Sequence, residues 1–174
     1  PAFLMAAGLP LPKSVVAHGW LLFEQSKMSK SRGNIVRAET VLDVLGADAL
    51  RYFLLREVTF GQDGNFSFDA LAQRYNADLA NGYGNLVSRT LAMIVKYFDG
   101  VVPDGAAAAD SGICTSLSQQ AEQFDQRLEM FDFSRALEHA WSAIASVDNY
   151  LTAQAPWKLS AIDGAESRAK LSAI

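Results

Sequence analysis

Apolar and polar positions follow two different rhythms along this chain, and the change falls near residue 68. From Asp69 onward apolar side chains return every three or four positions: first Leu71, Tyr75, Leu79, Tyr83, Leu86, Ile94 and Phe98. A second set follows at Ile113, Leu117, Ala121, Phe124, Leu128 and Phe131, and a third at Leu137, Trp141, Ile144, Val147 and Leu151. A spacing near 3.6 gathers each set on one helix face, so three amphipathic helices are predicted, packed as an antiparallel bundle. Asp69 and Asp132 can cap the first and third, and Asp99-Gly100 ends the first. The Pro/Gly/Ala-rich stretch from Val101 to Gly112 is a connector. Pro156 interrupts the third helix, and a last one is expected to be cut at Ile174. Gly82 and Gly84 each cost ~1 kcal/mol inside a helix. They imply either close approach of another helix or of RNA, or a local kink.

Before Asp69 the apolar residues come in short runs. Phe3 to Ala7 can end a helix, and Gly8, Pro10 and Pro12 then force a turn. Val15 to His18 and Trp20 to Phe23 read as extended, buried strand material. Residues 25–34 carry no apolar period and form a loop. Helices are predicted over Ala38–Leu45 and Ala47–Glu57, separated by Gly46. Gly61 to Phe68 turns into a short strand. Trp20 and Trp141 are assigned to the core, and His139 to a packed or half-exposed position beside the third stripe.

Composition narrows the class. With 174 residues, half of them apolar, the chain can bury one or two cores. Charge breaks every apolar run well before the ~18 residues of a membrane span, so no membrane partner is expected. Pro1 to Ala7 carries no basic leader, so no signal peptide is expected, and the sequence reads as a cut through a longer protein. One cysteine, Cys114, rules out an internal disulfide, and two histidines provide no cluster with metal-ligand spacing. These counts fit a reducing, intracellular setting. The net charge of −4 argues against a protein that coats nucleic acid. Its distribution is uneven: residues 1–37 hold five basic groups and one acid, whereas the remainder holds ten basic groups and eighteen acids. A basic head on an acidic body suits a phosphate site at one end.

The sharpest feature lies in that head: Lys27-Met28-Ser29-Lys30-Ser31, followed by Arg32, Gly33 and Asn34. Two ammonium groups three residues apart, with small hydroxyls between, can close over a polyphosphate, since lysine is a compact charge able to follow moving phosphates. Gly33 lets the backbone turn or approach. The plain alternative is an exposed basic surface loop.

This run, with His18-Gly19-Trp20 before it and Gly33-Asn34 after it, resembles the signature loop of class I aminoacyl-tRNA synthetases. Residues 47–57 resemble the helix that follows the signature in the isoleucine, valine, leucine and methionine enzymes. Residues 66–89, together with Ala155-Pro156-Trp157-Lys158, resemble the methionyl-tRNA synthetase family specifically. The resemblance runs from Pro1 to at least Lys158. It implies a mainly α chain with a small α/β part. Residues 1–68 would be the C-terminal remnant of a Rossmann-type nucleotide-binding catalytic domain. Residues 69–174 would be a helical anticodon-binding bundle, cut at its C-terminal end. It also implies that Lys27, Met28, Ser29, Lys30 and Ser31 bind ATP, accompanied by Mg²⁺. Lys30, aided by Lys27, would stabilise the transition state as the methionine carboxylate attacks the α-phosphate. Such catalysis rests on positioning and on electrostatics at the phosphates.

By the same resemblance, Asn85 and Arg89 contact anticodon bases of tRNA(Met), and Trp157 stacks on the first of them. Positions four apart share a helix face, and single-stranded loops are read by such polar contacts plus aromatic stacking. Without the family, Asn85 and Arg89 would read as a solvated face and Trp157 as core. His18 either borders the nucleotide or is a structural strand residue. The first signature, the L-methionine pocket and the zinc-bearing insertion of the family lie outside this chain, so these residues alone are expected to form no methionyl adenylate. A cytoplasmic or organellar-matrix location follows from the activity. Two other readings stay in view. Another class I synthetase would share the loop but not Asn85, Arg89 and Pro156-Trp157 together. A stand-alone RNA-binding module would have an eroded lysine loop, and here the loop is intact.

Overall fold

The computed structural model describes residues 1–29, 31, 33–103, 112–159 and 171. A short helix, α1 (Ala2–Ala6), is followed by an extended stretch with exposed Val15 and Val16. The strand expected over Val15–His18 does not form: only Leu21–Phe23 (β1) pairs. The β1 strand pairs antiparallel with β2 (Ser26–Lys27) and parallel with β3 (Gly64–Phe66), giving the order β2-β1-β3. Lys27 therefore lies on a strand, not in a free loop, with Leu22 as its partner.

Helix α2 (Ala38–Glu57) is broken where expected. Gly46 adopts φ 80° and ψ 170°, a conformation open to glycine, so two helical segments meet at a kink. Phe53 and Val41 of this helix meet Phe66 of β3 and Leu71 in the buried core. Phe66 makes edge-on ring contacts with Phe53 and Phe68, both at 5.4 Å. Aromatic pairs prefer this geometry because ring edge and face carry opposite partial charge.

The long helix predicted from Asp69 is continuous in path but not in type. It comprises α3 (Phe68–Arg74), a π-helical segment (Tyr75–Gly84) and α4 (Asn85–Phe98). Its cap is Ser67 rather than Asp69: the Ser67 hydroxyl accepts from the Ala70 amide, and Asp69 sits in the first turn. The wider π turn shifts the side-chain register, and Tyr83, expected inward, is 51% exposed. It also accounts for the two glycines. A Cβ on Gly84 would lie 3.0 Å from the Leu79 carbonyl oxygen, and one on Gly82 would lie 3.2 Å from the Trp141 ring. Close approach of another helix is thus realised at Gly82. At Gly84 the π backbone itself takes the space. Asp99, in the left-handed region, closes α4, and the Gly100 amide reaches back to Ile94 (3.2 Å).

Helices α5 (Gly112–Glu129) and α6 (Phe133–Gln154) form an antiparallel hairpin, with His139 bonded to Gln120 across it at 2.8 Å. Asp132 holds the N-cap position of α6, but its carboxylate faces Arg127 (3.4 Å) and Arg135 (3.8 Å) rather than the helix amides. The hairpin docks on α2. The Ser134 hydroxyl donates to the Arg56 carbonyl (3.1 Å), Arg56 pairs with Glu138 (3.2 Å), and Trp141 meets Tyr52 edge-on at 5.9 Å. Ala155, left-handed at φ 45°, ends α6, and α7 (Pro156–Leu159) starts at the proline. Among the described residues no helix is long and apolar enough to cross a membrane.

Candidate functional site

The loop that follows β2 is held by contacts distant in sequence. Glu24 and Gln25 form the two-residue turn between β1 and β2, both with positive φ (47° and 62°), as hairpin turns matched to strand twist require. Neither is glycine, and the turn is pinned from outside. The Gln25 amide donates to the Asn65 side chain (2.7 Å), and the Glu24 amide donates to the Phe66 carbonyl (3.2 Å). This fixes where β2 begins, and with it the position of Lys27 and of the loop that follows.

Asn34 closes the loop. Its side-chain oxygen accepts from the Ser29 amide (2.8 Å), while its side-chain nitrogen donates to the Lys27 carbonyl (3.3 Å). One amide side chain thus ties two backbone groups of the lysine run. The Ser29 and Ser31 hydroxyls meet at 2.8 Å. Met28 and Ser29 are half-buried, whereas Lys27 and Ser31 are exposed. Lys30, the expected main contributor, and Arg32 lie outside the described residues.

Lys27 does not extend freely. Its ammonium sits 3.9 Å from the centroid of the Trp20 ring. Trp20, assigned to the core from sequence, is 62% exposed. Its backbone is fixed on both sides, the amide donating to Asp63 Oδ1 (2.7 Å) and the carbonyl accepting from Gly64 (2.8 Å). Just before it, Gly19 lies so close to the Gln62 backbone that no Cβ fits. His18 is exposed, and its Nδ1 donates to the Gly19 carbonyl (2.7 Å), which can only accept. His18 and Trp20 share the wall of an apolar groove of about 450 Å³, which Leu54, Phe60, Phe131 and Phe133 also line. His18 is therefore a surface residue near the loop and not a buried strand residue.

The second group of expected residues lies on the helices. Asn85 opens α4 and is exposed; Arg89, one turn on, is half-exposed on the same helix. The Arg89 guanidinium is paired with the Asp148 carboxylate of α6. Trp157 is 45% exposed on α7, beside buried Pro156, so it is not a core tryptophan. In the chain, α2 and the Tyr52–Asp78 contact (2.5 Å) lie between the loop residues and these helix residues. The sequence marked Gly33-Asn34 only as context; Asn34's role depends on its contacts with Lys27 and Ser29. Asp63, Asn65 and Asp148 carried no local signal at all.

No three His, Cys, Asp or Glu side chains converge on a metal-sized site among the described residues.

The family described as tRNA synthetases class I (M) matches residues 1–91. The methionine–tRNA ligase of Caldanaerobacter subterraneus subsp. tengcongensis is 48% identical over 164 residues, which is 91% of this chain and 25% of that protein. The Bacillus subtilis methionine–tRNA ligase is 46% identical over 162 residues, covering 91% and 24% respectively. A solved structure of Mycobacterium tuberculosis methionyl-tRNA synthetase in complex with methionyl-adenylate superposes with a TM-score of 0.85 at 40% identity. It covers 99% of this chain and 34% of that one. The chain spans about a quarter of the length of the curated relatives it matches. With its small three-stranded sheet, mostly helical fold and a match to these relatives over nearly all of its own length, the chain belongs to the class I tRNA synthetases, in the methionyl-tRNA synthetase family.

Proposed function

We propose that this chain supplies two working parts of a methionine–tRNA ligase: the loop that handles the ATP phosphates and the helices that read the anticodon of tRNA(Met). Residues 1–68 form the end of a Rossmann-type catalytic domain, and residues 69–174 belong to an α-helical anticodon-binding bundle. In the reaction, a carboxylate oxygen of L-methionine attacks the α-phosphate of ATP. The bond from that phosphorus to the bridging oxygen breaks, and pyrophosphate leaves. A hydroxyl of tRNA(Met) then attacks the methionyl carbonyl, and AMP leaves. Mg²⁺ carried by the nucleotide would neutralise part of the phosphate charge.

The observation that carries the phosphate reading is the tie that Asn34 makes to the start of the lysine run. The backbone there is tied at Lys27 and Ser29 by one side chain, while the lysine ammonium stands at the surface. A tethered loop presents cations in a restricted set of positions, which is what stabilising charge on a departing pyrophosphate requires. Lys30 follows Ser29 directly and carries the main contact. Lys27 adds a second. Ser29 and Ser31 can donate hydroxyl hydrogen bonds to phosphate oxygens, and Met28 between the lysines is half-buried.

On the helices, Asn85 and Arg89 read base edges and Trp157 provides a stacking face. The support is their exposure, their placement one turn apart on α4, and the half-exposed ring of Trp157.

The test is methionine-dependent pyrophosphate exchange in the full-length enzyme. Lys30→Ala should slow exchange by roughly 10²–10³ with methionine binding nearly unchanged, the scale for losing one preorganised charge contact. Lys27→Ala should slow it less. Normal exchange by Lys30→Ala would leave the loop a surface feature without a catalytic part.

A further inference from the structure

An exposed tryptophan with a rigid backbone calls for an explanation. The Trp20 amide and carbonyl are both bonded to the 63–64 turn, and Gly19 beside it is locked against Gln62. The ring nevertheless stands 62% exposed, outside the core that takes Phe23 and Leu21. Its contact on the loop side is the Lys27 ammonium, 3.9 Å from the ring centroid. Lys27 in turn lies on β2, paired with Leu22, and its carbonyl is held by Asn34. Both ends of the contact are therefore anchored by backbone bonds, which leaves the two side chains as its soft elements.

We propose that Trp20 is a positioning residue for the phosphate loop, its ring face holding the Lys27 ammonium in place for the polyphosphate of ATP. The inference rests on the assignment of Lys27 to the phosphate site. A free lysine side chain must give up rotamer freedom to make a defined contact, a cost set by the side chain itself. A π face removes part of that freedom beforehand without competing for the charge. The ammonium has three donor hydrogens. The ring occupies one side and leaves the others open to phosphate oxygens. A carboxylate in the same place would neutralise the lysine instead. Among the described residues no acidic side chain is paired with Lys27, and the nearby Asp63 is engaged by the Trp20 amide.

The experiment is a double-mutant cycle in the full-length enzyme, read as KM for ATP and kcat in methionine-dependent pyrophosphate exchange. Trp20→Leu keeps apolar bulk and removes the π face. It should raise KM for ATP about two- to fivefold, the range of an exposed cation–π contact, with a smaller change in kcat and none in KM for methionine. Trp20→Phe should fall between Leu and the wild type. In a Lys27→Met background Trp20→Leu should add nothing, because the partner is already gone. If Trp20→Leu costs the same with and without Lys27, Trp20 acts through packing and the inference is overturned. A lowered KM for ATP in Trp20→Leu would overturn it too, by showing that the ring withholds the lysine. If Lys27→Met leaves KM for ATP and kcat unchanged, the assignment of Lys27 to the phosphate site has failed, and the inference falls with it. Should Trp20→Leu not fold, the Trp20→Phe value in the two Lys27 backgrounds decides the same question.

Discussion

Arg89 on α4 and Asp148 on α6 are joined by an ion pair across 59 positions of sequence. The guanidinium proposed to contact an anticodon base is thus partnered in this structure, and on that proposal a base would have to compete with a carboxylate for it. Both side chains are about half exposed. Such surface pairs contribute little to stability, ~0–1 kcal/mol. Asp148→Asn should therefore leave the melting temperature nearly unchanged and tighten tRNA(Met) binding, by at most about fivefold. Arg89→Ala should weaken binding by ~1–3 kcal/mol through a lost base contact. If Asp148→Asn weakens binding as Arg89→Ala does, Asp148 presents the arginine to RNA instead of competing for it.

Trp157 gives an opposite pattern from a buried tryptophan. With nearly half its surface exposed, Trp157→Ala should cost far less stability than the ~3–5 kcal/mol of a core cavity. It should cost ~1–3 kcal/mol of tRNA affinity if the ring stacks on a base. Trp157→Phe should recover part of that loss. Melting curves and tRNA binding on the same preparations separate the two roles. A large drop in melting temperature with unchanged anticodon preference would return Trp157 to a packing role.

Asn34 is a clamp with two unequal arms. Asn34→Ala removes both the 2.8 Å bond from the Ser29 amide and the 3.3 Å bond to the Lys27 carbonyl. Exchange should slow, roughly 10-fold for ~1.4 kcal/mol of lost order, within the range of one to two hydrogen bonds. Asn34→Asp keeps the shorter, accepting arm and should retain more activity than Asn34→Ala. Equal activity of Asn34→Ala and wild type in pyrophosphate exchange would show that the loop holds its shape without the clamp.

Tyr52 links α2 to the π-helical segment and to α6. Its hydroxyl donates to Asp78 at 2.5 Å, and its ring meets Trp141 edge-on. Burial, then the adjacent Asp78 carboxylate, pushes the Tyr52 phenol above its ordinary value. A group whose pKa is raised on folding contributes stability that is present below its unfolded value and is lost above it. The wild type should therefore lose this contribution as pH climbs past ~10, the unfolded tyrosine value. Tyr52→Phe keeps the ring, removes the bond and should be less stable at pH 7 by ~1.5–3 kcal/mol, the range for a bond to a charged group. Its stability should fall less steeply between pH 9 and 11, an interval chosen around that value. Urea melts across that interval are the measurement, and parallel slopes for the two proteins would remove Tyr52 from the alkaline transition.

Local pattern determined much of this protein. The three-and-four spacing placed the helices of the second half. Gly46 marked a real break in α2, Asp99-Gly100 ended α4, and the lysine run with its flanking residues pointed to the family. These features depend on residues a few positions apart, where backbone geometry and side-chain periodicity act directly. Periodicity misplaced Tyr83 because it assumes one helix type, and ten residues of π-helix rotate the face. Apolar character placed Trp20 in the core, and Val15–His18 in a strand, because it cannot see which surfaces have a neighbour. Only the tertiary structure brought Asp63 to Trp20, Asn65 to the β-turn, Trp20 under Lys27 and Asp148 to Arg89. Most of these pairs are separated by about 40 or more residues, and a polar side chain gives no local sign of which distant partner will satisfy it.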